Sequence, residues 1–362
     1  MLSVYIHIPF CRSICTYCDF CKMLYNEKYV DNYLDCLEKE IKERYHNEPI
    51  KTIYIGGGTP SSLTIKELER LLSIIDTLNL EDNYEYTIEC NIEDINIDKI
   101  NLFISYGINR ISFGVESFDK SIQSILGRKH VENTIFDNIY LTKKYFNNIN
   151  IDLIYGVTPD IDIVKKDIQK FLELDIPHIS CYSLILEKNT KLYINNHQYI
   201  HEELDRDMYD YIENTLTQNG YNHYEISNYA KDGYESLHNK NYWLNGSYYG
   251  FGLGAVSYLS NNRISNTKNL HTYYCNKFIA ATSYEDIPTQ KENDLILGLR
   301  LTKGINVETF NQKYQDNLLE HDIIKNLIKD NSLEYSNGYL RCNKEYLYLL
   351  NYILEKIIGS DI

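Results

Sequence analysis

No apolar run in this 362-residue chain approaches the roughly 20 residues needed to cross a bilayer as a helix. The opening stretch, MLSVYIHIPF, does not place a basic start, an apolar core and a cleavage site in succession, so it does not read as a secretory leader. Basic residues are in deficit: 36 Lys and Arg stand against 51 Asp and Glu, a formal net charge of −15. That balance argues against a general nucleic-acid binder, which needs basic surface to displace counterions. A local basic pocket stays open. No internal repeat and no low-complexity segment interrupts the chain. The expected location is the cytoplasm, where thiols stay reduced and disulfides are rare. Clustered cysteines there read as metal ligands or catalysts.

In the first half, apolar β-branched runs alternate with amphipathic helical patterns. Strand-like runs occupy 3–8, 51–56, 84–90, 108–115, 148–156 and 177–185, and helical patterns occupy 29–45, 64–78, 133–146 and 160–174. Six strands alternating with helices imply a parallel sheet with right-handed crossovers, either doubly wound or a full or partial (β/α) barrel. Sites in such folds sit at the carboxyl ends of the strands. After about residue 200 the pattern changes. A helix over 201–220 is followed by a Gly, Asn and Tyr-rich passage (228–275), then by helices, a hairpin around Asn337-Gly338 and a last helix over 344–357. The expected organisation is a core over 1–200, an extension over 201–282 and a small C-terminal domain over 283–362.

Four of the nine cysteines fall in CRSICTYCDFC, residues 11–21. Cys36, Cys90, Cys181, Cys275 and Cys342 lie far apart and read by default as small buried hydrophobes. Cys11, Cys15 and Cys18 are spaced C-x3-C-x2-C. A structural zinc site wants four closed ligands, usually two separated pairs. Here the one candidate fourth, Cys21, is crowded onto the same loop, and no C-x2-C or H-x3-H pair follows. Three thiolates on one loop after a strand suit a [4Fe–4S] cluster with one iron left open. Zinc and plain structural thiols are the alternatives.

YIHIPFCRSICTYCDF resembles the cluster motif of the radical S-adenosylmethionine (SAM) family, in the branch that holds coproporphyrinogen dehydrogenases and heme chaperones. The resemblance runs over roughly residues 4–358. It implies an α/β fold: a partial (β/α)6 TIM-type barrel with a small winged-helix-like α+β domain at the C-terminus. It also implies a [4Fe–4S] cluster on Cys11, Cys15 and Cys18, with SAM on the open iron and Tyr5 and Tyr17 beside it. YIGGGTPSSL resembles the family's GGGTP turn, so Gly57, Gly58 and Thr59 are expected to hold the SAM amino group. Glu89, at the end of TIEC, is expected at the SAM ribose. RISFGVESF, LGRKH and IDLIYG resemble further family blocks and supply Glu116, Arg128 and Asp152 as SAM-contacting positions. Two departures stand out. Glu116 replaces the family's usual glutamine, and YGVTPD replaces YGLPGQT with its proline moved to Pro159. Both bear on a second SAM site that the dehydrogenases use.

HNKNYW (238–243) fits a motif associated with the heme chaperones, and a His beside a Tyr-Trp pair could offer an axial imidazole against aromatic walls. His238 is therefore the expected heme ligand. GFGLGAVSY resembles a glycine-rich loop returning to the SAM pocket. Within the branch, three features favour a heme chaperone. Phe20 stands where the dehydrogenases carry a fourth cysteine, only four residues precede Tyr5, and HNKNYW is present. The expected partners are heme or a porphyrin, heme-donor proteins, heme-accepting respiratory proteins and a second copy of the chain, with no nucleic acid and with peripheral contact at the membrane during delivery. The alternatives are an oxygen-independent coproporphyrinogen III dehydrogenase or another porphyrin-directed radical SAM enzyme.

Overall fold

The computed structural model describes residues 1–129 and 131–359; His130, which closes the LGRKH block, and residues 360–362 of the C-terminal segment lie outside the described residues. Six strands run parallel and in sequence order: β1 (Ser3–Ile8), β2 (Ile50–Gly57), β3 (Leu80–Asn91), β4 (Arg110–Glu116), β5 (Asn148–Tyr155) and β6 (His178–Ser183). Between them lie helices α1 (Glu27–Arg44), α2 (Ile65–Ile75), α3 (Ile97–Ser105), α4 (Lys120–Leu126), α5 (Glu132–Lys143) and α6 (Ile161–Leu174). Period-2 alternation sets the two faces of the curved sheet. In β1, Val4, Ile6 and Ile8 are fully buried in the core under the helices. Tyr5 points to the inner face instead, stacked on Tyr54 at 6.3 Å between ring centroids.

The sheet continues past both ends of this unit. Beyond β6 lie two short antiparallel strands, β7 (Asn222–Glu225) and β8 (Asn228–Ala230). Beyond β1 lie β9 (Tyr248–Phe251), β10 (Val256–Leu259), β11 (Asn262–Asn266) and β12 (Ile279–Tyr284). The full order is β12-β11-β10-β9-β1-β2-β3-β4-β5-β6-β8-β7, so the barrel is open. β9 pairs with β1 in parallel, Ser3 opposite Tyr248 and Ile6 opposite Phe251, while β10 to β12 form an antiparallel meander.

The sequence pattern had shown this passage only as Gly, Asn and Tyr-rich chain. Its strands are four to six residues long, and glycine enters where backbones meet. Gly252 has φ +100°, and a β-carbon there would fall 2.5 Å from the His7 carbonyl oxygen. Two short helices, α3 and α4, also lacked a periodic signal; each starts on a side-chain cap, Asn96 and Asp119.

One carboxylate pins α1 to the meander. Glu40 is fully buried and accepts hydrogen bonds from Tyr273 (2.7 Å), the Gly252 amide (2.9 Å) and Asn266 (2.6 Å), besides pairing with Arg44. The main hydrophobic core runs from Val4 to Phe278. A second core, Leu295 to Ile357, forms around a three-stranded sheet of β13 (Ile305–Asn306), β14 (Leu333–Ser336) and β15 (Tyr339–Cys342). The β14–β15 turn is Asn337-Gly338, both at positive φ, as a two-residue hairpin requires.

Candidate functional site

At the carboxyl ends of the parallel strands a cavity of about 400 Å³ opens inside the sheet. The loop after β1 forms one wall. Its base is tied by Phe10–Cys11 pairing with Met23–Leu24, by the Met23 amide on the Pro9 carbonyl (2.8 Å) and by the Tyr25 amide on the Cys11 carbonyl (2.8 Å). Its middle is held by Thr16, whose hydroxyl donates to the Ile125 carbonyl at the end of α4 (2.7 Å). Its far side is held by the His7 ring, 2.6 Å from the Cys21 carbonyl on one nitrogen and 3.0 Å from the Tyr5 hydroxyl on the other. Burial pushes His7 down to about 4, so the ring is neutral at physiological pH.

So anchored, the loop places the thiols of Cys11, Cys15 and Cys18 on the cavity wall. Burial raises all three thiols above the ordinary cysteine range, Cys15 to about 11, against the pull of Arg128. Cys21 is not part of the wall. It packs instead against Gly254, where an added β-carbon would lie 3.3 Å from its Sγ. Among the described residues no group of three His, Cys, Asp or Glu could hold a single metal ion. The three cysteines line one cavity, and among the described residues no fourth protein ligand stands beside them, which fits a polynuclear cluster bound on three sides better than a closed zinc site.

The second wall comes from the turn after β2. Gly57 has φ +112°, and a β-carbon there would strike the His7 ring at 2.5 Å. Its amide donates to Glu89 Oε2 (3.1 Å), and the Tyr54 hydroxyl donates to Glu89 Oε1 (2.8 Å). Burial raises the Glu89 carboxyl to about 7, opposed by the Tyr54 and Gly57 hydrogen bonds and reinforced by Asp152. Gly58, Thr59 and Asp152 share the same cavity. Asp152 accepts from Asn150 (2.8 Å), and burial raises its carboxyl too.

Glu116 ends β4 in the left-handed region, φ +60°, where the register with β5 shifts. Its Oε1 accepts from Arg128 (2.5 Å) and from Tyr17 of the cysteine loop (2.7 Å), while the other Arg128 terminal nitrogen reaches Asn91 (2.6 Å). The acid in place of the family's amide thus makes an ion pair that clips the cysteine loop to the sheet. Tyr5 stands outside the wall, behind Tyr54.

His238 does not reach this cavity. It is 1% exposed on the helix Leu237–Trp243, whose first amides are capped by the buried Glu85. One ring nitrogen is 2.8 Å from the Thr52 hydroxyl, and the other is 2.9 Å from the Tyr242 hydroxyl. Both nitrogens are engaged by hydroxyls and the ring is enclosed, whereas an axial heme ligand needs one ring nitrogen open. Burial pushes it down to about 3. The sequence reading passed over Tyr54, Arg110, Ser112 and Asn150, all in the cavity wall. Polar residues at alternate positions of otherwise apolar strands were the one signal for them.

A (β/α)6 open barrel whose first loop presents three thiols to the strand ends is the architecture of a radical SAM protein. The Radical SAM superfamily model matches residues 5–168. "Heme chaperone HemW" of Lactococcus lactis is 39% identical, with 99% of this chain and 98% of that one covered. Its namesake in Bacillus subtilis is 33% identical over 100% and 98%, and that of Escherichia coli 34% over 75% and 74%. The solved coproporphyrinogen III oxidase (HemN) of Escherichia coli superposes with a TM-score of 0.87 over 99% of this chain and 90% of its own, at 22% identity, which shows the shared fold. The chain belongs to the HemW family of heme chaperones within the radical SAM superfamily.

Proposed function

We propose that this protein is a heme chaperone that holds a [4Fe–4S] cluster on Cys11, Cys15 and Cys18, binds SAM in the adjoining cavity, and carries heme to respiratory enzymes. The observation that carries the reading is the 39% identity to a relative of that name with both chains covered almost end to end. The site chemistry agrees with it. Burial raises all three thiols above the ordinary cysteine range, so metal binding, which needs thiolates, would displace their protons. The bared backbone of Gly57 and Gly58 would leave room for the polar head of SAM, Thr59 would add a hydroxyl, and Glu89 would accept from the ribose hydroxyls. Glu116, Arg128 and Tyr17 keep the loop closed on the sheet.

A cluster with an open iron supplies an electron and a chelation site for SAM. Exchange of heme with donor and acceptor proteins, and pairing with a second copy of the chain, belong to the same reading. The test is anaerobic. Cluster-loaded protein is charged with heme and mixed with a heme-free respiratory enzyme, and in parallel it is given SAM, reductant and coproporphyrinogen III. Heme arriving in the acceptor without formation of protoporphyrinogen is expected. Protoporphyrinogen above a Cys15→Ala control would make the protein a dehydrogenase instead.

A further inference from the structure

Arg110 opens β4 and stands on the inner face of the sheet, where it joins Tyr54, Ser112 and Asn150 in the cavity wall. The residue is 2% exposed. Its Nε is buried with no partner, and among the described residues the guanidinium makes no hydrogen bond and no ion pair. Such a group presents five donors, and an unpaired buried charge is strongly disfavoured.

The contrast with Arg128 in the same cavity is direct: Arg128 is engaged by Glu116, Asn91 and Tyr17. The acids nearest Arg110 feel its charge but hydrogen-bond elsewhere, Glu89 to Tyr54 and Gly57, and Asp152 to Asn150. Below, His178 is taken by Asn150 and Tyr224. Elsewhere the lining includes two exposed apolar side chains, Phe20 (67%) and Ile185 (65%), beside Asp19, Lys22 and Glu187. The space therefore contains a buried cation whose planar fork makes no hydrogen bond, the geometry that takes a carboxylate in two parallel hydrogen bonds.

We propose that Arg110 is a carboxylate-binding subsite at the floor of the cavity, and that a propionate of the porphyrin cargo occupies it. The identity of the occupant rests on the heme-chaperone reading. The same chemistry could come from the amino-acid carboxylate of SAM, which the family resemblance places on the open iron.

The experiment titrates anaerobic, cluster-loaded full-length protein with heme and with heme dimethyl ester, following the Soret band, and measures SAM by equilibrium dialysis. Wild type is expected to bind heme about tenfold or more tighter than the diester. Arg110→Gln should bring heme down to the level of the diester, with Arg110→Lys between the two. If Arg110→Gln does not fold, the wild-type comparison and the lysine variant decide. Equal binding of heme and diester by wild type would overturn the subsite. Loss of SAM binding, with heme unaffected, would give the carboxylate to SAM and overturn the propionate assignment. Binding of neither heme nor diester would bring down the chaperone reading itself, a result distinct from either of these.

Discussion

The ring of Tyr54 lies 5.1 Å, centroid to centroid, from the imidazole of His238, and its hydroxyl donates to Glu89 over 2.8 Å. The histidine of the HNKNYW motif thus backs the tyrosine that orients a cavity carboxylate.

Replacing that histidine should therefore cost stability rather than heme. His238→Ala leaves the Thr52 and Tyr242 hydroxyls facing a void and is expected to lower stability by about 2–4 kcal/mol. In His238→Gln, which keeps polar reach, the Soret band of bound heme should match wild type. Thermal melting and heme titration check the pair; a lost Soret band with an unchanged melting curve would restore the axial ligand.

Glu89 sets a pH dependence. Its carboxyl is raised to about 7, so it goes from mostly protonated to mostly ionised between about pH 6 and 8. Only the ionised form offers both oxygens as acceptors to ribose hydroxyls. SAM affinity should rise with pH through this window, by up to about tenfold per unit on the acid side. Glu89→Gln should bind SAM more weakly and with a flat profile. Anaerobic equilibrium dialysis across the range reads both, and a profile in the variant as steep as wild type's would remove Glu89 from the site.

The cysteines divide three to one. Cys15→Ala should lose the iron and the visible absorption of the cluster after anaerobic reconstitution. Cys21→Ala should keep both, because Cys21 packs on Gly254 away from the cavity wall. Iron and sulfide analysis of the two variants side by side is sufficient.

Glu40 is the buried link between α1 and the meander. Glu40→Ala removes the counter-charge of the buried Arg44 and leaves the Tyr273 hydroxyl and the Gly252 amide without their acceptor, and is expected to cost about 3–5 kcal/mol. Denaturant unfolding measures it, and a change below about 1 kcal/mol would mean that water replaces the carboxylate there.

The six parallel strands were readable because each is a β-branched run long enough to show its alternation, and the cysteine loop was readable from spacing alone. The meander was not, since four-residue strands of Tyr, Gly, Asn and Ser carry no period, and their pairing depends on β1, some 245 residues away. Arg110 and Tyr54 escaped for another reason. Alternation tells which face a side chain takes, but not what stands across the barrel from it. His238 shows the same limit from the other side: a motif gives neighbours in sequence, while the layer in which a residue lies is set by helix packing, here by Glu85 capping the helix beneath β2.

The parallel pairing of β1 with β9 also has a consequence in time. The strand that carries the cysteine loop is made some 245 residues before its second neighbour, which begins opposite Ser3 at Tyr248. At ~5–20 residues per second of synthesis, that gap lasts roughly 10–50 s. During it β1 is an edge strand, with one side free to find a wrong partner. The His7 carbonyl still waits for Gly252 to come against it. A newborn chain thus holds its cluster ligands on a strand still open along one edge, and iron delivered early meets a loop whose support has yet to gain its second neighbour.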